Sequence, residues 1–211
     1  MSENPHLAID PVRAGVALDE AGVVGVLIHG RDQDEQVMLD VADRLALPRA
    51  AYLLPVAVGN SWYAGRYFDP FEQLREEVER VLEVFEAALA TAVGAVGAEH
   101  VVLAGFSQGA CLVAELIARR PRPLGGAAVL TGTLLGPPGE RVTPAPQEGL
   151  ELLVTVGRHD AWVAFEDARA TADAFARAGA RVTFAPEDDP EHHVSDGAVA
   201  ALRELFVAAA R

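Results

Sequence analysis

Of the four serines in the chain, Ser107 stands between glycines in Gly105-Phe106-Ser107-Gln108-Gly109. The pattern G-x-S-x-G takes its meaning from its setting. The apolar run Val101–Phe106 reads as a strand directly before it, and residues 110–120 read as a helix directly after it, stopped by Pro121. A strand that turns sharply into a helix pushes the residue at the turn out past the strand's C-terminal end, and flanking glycines leave room for that turn. The helix then aims its N-terminal dipole and unpaired amides at the same spot, where charge on a reacting carbonyl oxygen would develop.

A hydroxyl is a weak nucleophile until a base takes its proton, so a histidine and an orienting carboxylate must follow. In this setting they are expected in the order acid, then histidine, on loops after later strands. The strand at residues 152–156 runs into Gly157-Arg158-His159-Asp160. The strand at residues 182–185 runs into a turn ending Glu191-His192-His193. Asp160 is the expected acid, because Asp167 falls inside a helix and Asp188 and Asp189 sit beside the histidines themselves. His6 lies in a polar tail, His100 precedes a strand, His29 ends the first strong strand as support for its loop, and His159 reads as a loop residue. The base is therefore His192 or His193. Two consecutive histidines rarely point at one ion, so no metal site is expected with Asp188 and Asp189. The turn His29-Gly30-Arg31-Asp32 supplies the other half of an oxyanion pocket, formed by the backbone N–H groups of Arg31 and Gln108.

The elements that must position these groups alternate short β-branched runs with longer helical patterns, which describes a mostly parallel sheet flanked by helices. Residues 23–29 form a buried strand, residues 33–45 a helix with Val37, Met38, Val41 and Leu45 on one face, and residues 52–55 a second strand. Asp69 is placed to cap and Pro70 to begin the longest helix, whose apolar face is Leu74, Val78, Val81, Leu82, Phe85 and Leu89. Residues 127–130 are a further strand. Helices follow at residues 164–178, closed by Gly179, and at residues 196–210, capped by Ser195. The Pro-rich stretch 132–149 is expected as a loop over one edge of the sheet. Nothing repeats and no linker divides the chain, so its 211 residues are expected as a single domain, 1–211.

Composition sets the outer limits. Hydrophobic residues at 51% and charged residues at 23% describe an ordinary globular chain rather than a disordered one. No run reaches the ~20 apolar residues that span a bilayer. The start MSENPHLAIDPVRAG has neither a basic segment nor an apolar one, so no secretory signal is expected. Cys111 is the only cysteine, which excludes an internal disulfide framework. The cytoplasm is the expected compartment. A net charge of −14 repels phosphate backbones and anionic lipid headgroups, so neither nucleic acid nor membrane is expected as a partner. A small molecule is, and a homodimer is left open.

With these pieces in place, the chain resembles the phospholipase/carboxylesterase group of serine α/β-hydrolases, which includes the acyl-protein thioesterases. The matching segments are L-I-H-G-R-D at residues 27–32, S-W-Y at 61–63, G-F-S-Q-G-A at 105–110, G-R-H-D-A-W-V at 157–163 and H-H-V-S at 192–195. The resemblance implies a compact α/β-hydrolase fold without a large cap. It further implies hydrolysis of carboxylic esters or thioesters through an acyl-enzyme, with no cofactor. It makes Ser107 the nucleophile, Asp160 the acid and His192 the base. Glu191 stands where the group usually has Gly before that histidine, and Ala164 where it usually has Pro. Arg31-Asp32 replaces frequent glycine, which narrows the site. Tyr63, Trp62 and Phe68 after the second strand, Trp162 and Val163 beside Asp160, and Leu134 with Leu135 on the Pro-rich loop are expected to wall an apolar acyl or aryl pocket. With little spare length for a lid, small soluble esters are the expected substrates. Two alternatives carry different tests. A hydrolase of amides, lactones or carbon–carbon bonds would show itself in a substrate panel, and a catalytically silent binding protein by failing to react with a fluorophosphonate.

Overall fold

The computed structural model describes residues 4–210. Among them the strands are β1 (Val12–Gly15), β2 (Val23–Ile28), β3 (Ala50–Leu54), β4 (Val101–Phe106), β5 (Gly126–Leu130), β6 (Glu151–Gly157) and β7 (Arg181–Glu187). They form one sheet in the order β1-β3-β2-β4-β5-β6-β7. Only β1, paired with β3, runs antiparallel. The helices are α1 (Gln36–Leu45), α2 (Phe71–Val96), α3 (Gln108–Arg119), α4 (Phe165–Arg177) and α5 (Asp196–Ala209).

Every residue of β2, β4 and β5 is buried, as a sheet covered on both faces requires. Successive side chains point to opposite faces. Val24, Val26 and Ile28 of β2 join Leu103 of β4 in a core with α2, α3 and Phe175 of α4. Val23 and Leu27 join Val102, Ala104 and Phe106 in a second core with Met38 and Leu45 of α1 and Phe206 of α5. This is the α/β-hydrolase arrangement of a mostly parallel sheet between helices, with no large cap among the described residues. Among the described residues no helix is long and apolar enough to cross a membrane.

The chain leaves β2 to one side for β3 and later returns to its other side for β4. A crevice therefore opens beyond the C-terminal ends of β2 and β4, the place where open α/β sheets receive ligands. The registers Ile28 with Gly105 and Phe106 with Leu130 bring the ends of β2, β4 and β5 level around it.

Several local expectations need correction. β1 was not anticipated, because its alternating half-buried pattern with Arg13 in the middle is weak in four residues. Helix α1 begins at Gln36 instead of residue 33, since the Gln33 side chain turns back to accept the Gly30 N–H at 3.0 Å. Pro70 occupies the cap position of α2, and the Asp69 carboxylate accepts the Arg66 N–H at 2.7 Å instead of capping. Helix α3 starts two residues earlier than expected, at Gln108, directly at the turn after β4. Ser195 does cap α5, accepting the Ala198 N–H at 2.9 Å, and Gly179 follows α4 with φ +99°. The Pro-rich loop runs between α3 and α4, not over a sheet edge. Its Leu135 N–H donates to Glu115 of α3 at 2.8 Å and its Leu134 N–H to Thr171 of α4 at 3.0 Å.

Phe206 is fully buried with its ring 5.9 Å from that of Tyr52, so the face held by α5 depends on it. Phe206→Ala should cost about 3–5 kcal/mol in urea unfolding, through lost transfer energy and the cavity left behind. A cost below about 1 kcal/mol, the range of exposed positions, would contradict this packing.

Candidate active site

β4 delivers Ser107 into a backbone conformation of φ +53° and ψ −117°, which residues with a side chain avoid and which costs about 1–3 kcal/mol. The surroundings hold it there. The Ser107 N–H donates to the Leu130 carbonyl at 3.0 Å and its carbonyl accepts the Cys111 N–H at 3.0 Å. The flanking glycines are needed for close approach. A Cβ on Gly105 would stand 2.5 Å from the Gly109 carbonyl, and one on Gly109 would stand 2.5 Å from the carbonyl oxygens of Ile28 and His29.

The hydroxyl faces His192, with Ser107 Oγ 2.8 Å from His192 Nε2. His192 Nδ1 lies 2.8 Å from Asp160 Oδ2. A carboxylate only accepts, so Nδ1–H donates to Asp160, Nε2 is left as acceptor, and the serine hydroxyl donates to it. Phe106 and Trp162 flank the imidazole, their ring centres 5.1 and 6.1 Å away. The Asp160 side chain is closed off from solvent, and its Oδ1 accepts the N–H groups of Trp162 and Val163, both at 2.8 Å. Burial works against its charge, but the bond from His192 and the two amides outweigh it and hold Asp160 below the usual carboxylate range.

The other histidines face elsewhere. His193 Nε2 pairs with Asp189 Oδ2 at 2.8 Å on the surface, and exposed His159 lies 3.4 Å from Asp188. His29 is buried beside the Trp62 ring, donates Nδ1–H to the Gly30 carbonyl at 2.8 Å, and accepts the Ala57 N–H at Nε2. It braces the loop after β2.

A cavity of about 740 Å³ opens over Ser107 and His192. Arg31 and Gln108 line it; Gln108 is the first residue of α3, so its N–H has no acceptor within the helix. Tyr63, Phe68, Trp162 and Val163 also line it, with Phe68 and Trp162 exposed at its rim. Trp62 and Leu134 do not. Trp62 is buried, donates Nε1–H to the His29 carbonyl at 2.9 Å and stands edge-on to Phe85. Leu134 is buried too and borders a separate cavity between the Pro-rich loop and α4.

Sequence reasoning missed the Gln108 side chain. Its Oε1 accepts the Trp62 N–H at 2.9 Å and its Nε2–H donates to the Tyr63 carbonyl at 2.8 Å, so one buried amide clamps the cavity wall to α3. A long polar side chain next to the serine, in a first helical turn that is otherwise small and apolar, was the available hint. Tyr67 was missed as well. It lines the cavity and donates its hydroxyl hydrogen to Asp167 Oδ2 at 3.0 Å.

The sequence model of the phospholipase/carboxylesterase family matches residues 19–206. The chain belongs to that family. Among solved structures, a phospholipase/carboxylesterase from Dyadobacter fermentans is similar at 24% identity and a TM-score of 0.84, covering 94% of this chain and 96% of that one. A carboxylesterase from Mesorhizobium loti is similar at 22% identity and a TM-score of 0.72, covering 89% and 90%. No curated protein sequence matches. At these identities the two structures establish the shared fold, and family membership supports a hydrolase of the esterase type.

Asp160→Asn keeps the acceptor for the two amides and removes the charge. Because the folded chain holds Asp160 below the ordinary value of 3.8, its ionised form favours folding. That contribution is complete above the ordinary value and is lost as pH falls through the lower folded one. Urea unfolding of both proteins across a pH series should show a wild-type advantage near neutrality that disappears in acid. An advantage that grows on acidification would contradict the assignment.

Proposed function

We propose that this protein is a serine carboxylesterase acting on small soluble carboxylic esters or thioesters through an acyl-enzyme on Ser107. The observation that carries this is the unbroken line Ser107–His192–Asp160, two hydrogen bonds of 2.8 Å at the floor of a cavity, with the first amides of α3 beside it. His192 takes the hydroxyl proton as Ser107 Oγ attacks the ester carbonyl carbon. Asp160 keeps the imidazole in the right tautomer and stabilises its charged form. The backbone N–H groups of Arg31 and Gln108 receive the oxyanion, a contribution of roughly 3–4 kcal/mol where one such donor has been removed elsewhere. The tetrahedral species collapses, His192 hands its proton to the departing alcohol or thiol, and the acyl group stays on Ser107. Water, deprotonated by His192, then attacks the acyl carbonyl, and the acid leaves as the Ser107 hydroxyl is restored.

Only side chains, backbone amides and water take part in these steps. Among the described residues there is no large cap to cover a long lipid chain, and the open cavity over Ser107 suits a small acyl or aryl group. The substrate is expected in the cytoplasm as a free small molecule.

Ser107→Ala should fold normally and lower kcat on an aryl acetate by roughly 10⁴–10⁶. Turnover within tenfold of wild type would refute the nucleophile. Across p-nitrophenyl esters, kcat/KM should peak among acyl chains of about C2–C8, as an uncovered site with no tunnel for a long chain favours. A steady rise toward long fatty acyl chains would refute the small-ester assignment.

A further inference from the structure

Two cationic side chains on the cavity wall have no carboxylate partner among the described residues. Arg31 donates Nη1–H to the Ala64 carbonyl at 2.9 Å and Nη2–H to the Gly65 carbonyl, and its guanidinium lies 5.5 Å from the Tyr63 ring centre. Arg66 reaches over the Phe68 ring, 5.9 Å from its centre. Both line the cavity that holds Ser107 and His192. Among the described residues no carboxylate lies within 4.0 Å of either guanidinium. Asp69, close by in sequence, turns into its own loop to accept the Arg66 main-chain N–H. Among the described residues Asp32 is the one carboxylate lining the cavity, and it is solvent-exposed.

The wall therefore carries an excess of positive charge in a chain whose net charge is −14. The two carbonyls fix the Arg31 guanidinium in place without cancelling its charge. A planar guanidinium held in this way loses little freedom on pairing and matches a carboxylate with two parallel hydrogen bonds. The acidic surface elsewhere is a weak opponent, since at physiological salt its field fades beyond about 8 Å.

We propose that the cavity selects small esters that carry a free carboxylate, held by Arg31 and Arg66 while Ser107 attacks the ester carbonyl. This rests on the esterase assignment and adds the charge of the substrate to it.

Two pairs of esters of matched shape test it, one for each half of the substrate. Monoethyl adipate against ethyl hexanoate places the carboxylate on the acyl side. The acetate ester of γ-hydroxybutyrate against butyl acetate places it on the alcohol side. In at least one pair the acid member should show kcat/KM about tenfold above its neutral partner, the size of effect a charge-assisted hydrogen bond supplies. That ratio should fall severalfold in Arg66→Ala, whose exposed side chain can be removed without opening the core, and should fall with added salt. Equal or faster turnover of the neutral member in both pairs overturns the proposal, as does a ratio unchanged in Arg66→Ala. No turnover of any of the four esters, with a folded protein, would instead overturn the esterase assignment beneath it.

Discussion

The site depends on one strained residue. Ser107 is held at a positive φ that the sheet, not the serine, makes tolerable. Its N–H is fixed by the end of β5, and Gly109 packs so closely on the carbonyls of Ile28 and His29 that α3 must start against the end of β2. The same contact brings the loop carrying Arg31 alongside the first turn of α3. Strain at Ser107 and the approach of the loop carrying Arg31 to the start of α3 thus have a common origin in the junction of β2, β4 and β5. The Gln108 side chain extends that junction outward by tying residues 62 and 63 to the helix that begins at the turn.

Burial acts differently on the other ionisable groups nearby, and hydrogen bonding decides the outcome. Asp160 is shielded from solvent yet held low by three donors, which suits a carboxylate that must stay charged beside an imidazole. Cys111 lines the same cavity, but burial lifts its thiol to about 12, leaving it protonated and unreactive at neutral pH. Burial also raises Glu115, against the pull of Arg119 and the Leu135 amide. It accepts Arg119 Nε–H at 2.6 Å within α3 and the Leu135 N–H at 2.8 Å, and the second bond pins the Pro-rich loop to α3 and gives it a structural part.

Much of this arrangement is written locally in the chain. The strand–glycine–serine–glycine–helix order is a short-range pattern, so the turn at Ser107 was readable without any knowledge of the fold. The order of acid and histidine at later strand ends placed Asp160 and the pair at 192–193 on the same rim. Between the two histidines the residues themselves were silent. The geometry separates them, because Asp189 captures His193 on the surface while His192 turns inward. The aromatic wall was read less well. Trp62 and Tyr63 are adjacent on one loop, and nothing in their types reveals that the Trp62 ring turns under the His29 carbonyl while Tyr63 faces the cavity. Leu134 was misplaced for a similar reason, since a Pro-rich stretch suggests an outer loop and this one packs between two helices. β1 is an edge strand whose pairing with β3 depends on long-range register that four half-buried residues do not announce.

The claim on which the account turns is that Ser107 is an activated nucleophile, not a serine trapped in a tight turn. Treatment with a fluorophosphonate followed by intact-mass and peptide mapping measures this without assuming a substrate. The account predicts one adduct per chain, located on Ser107, formed more slowly in Asp160→Asn and absent in Ser107→Ala. A folded wild-type protein that acquires no adduct, or acquires it on another residue, would contradict it.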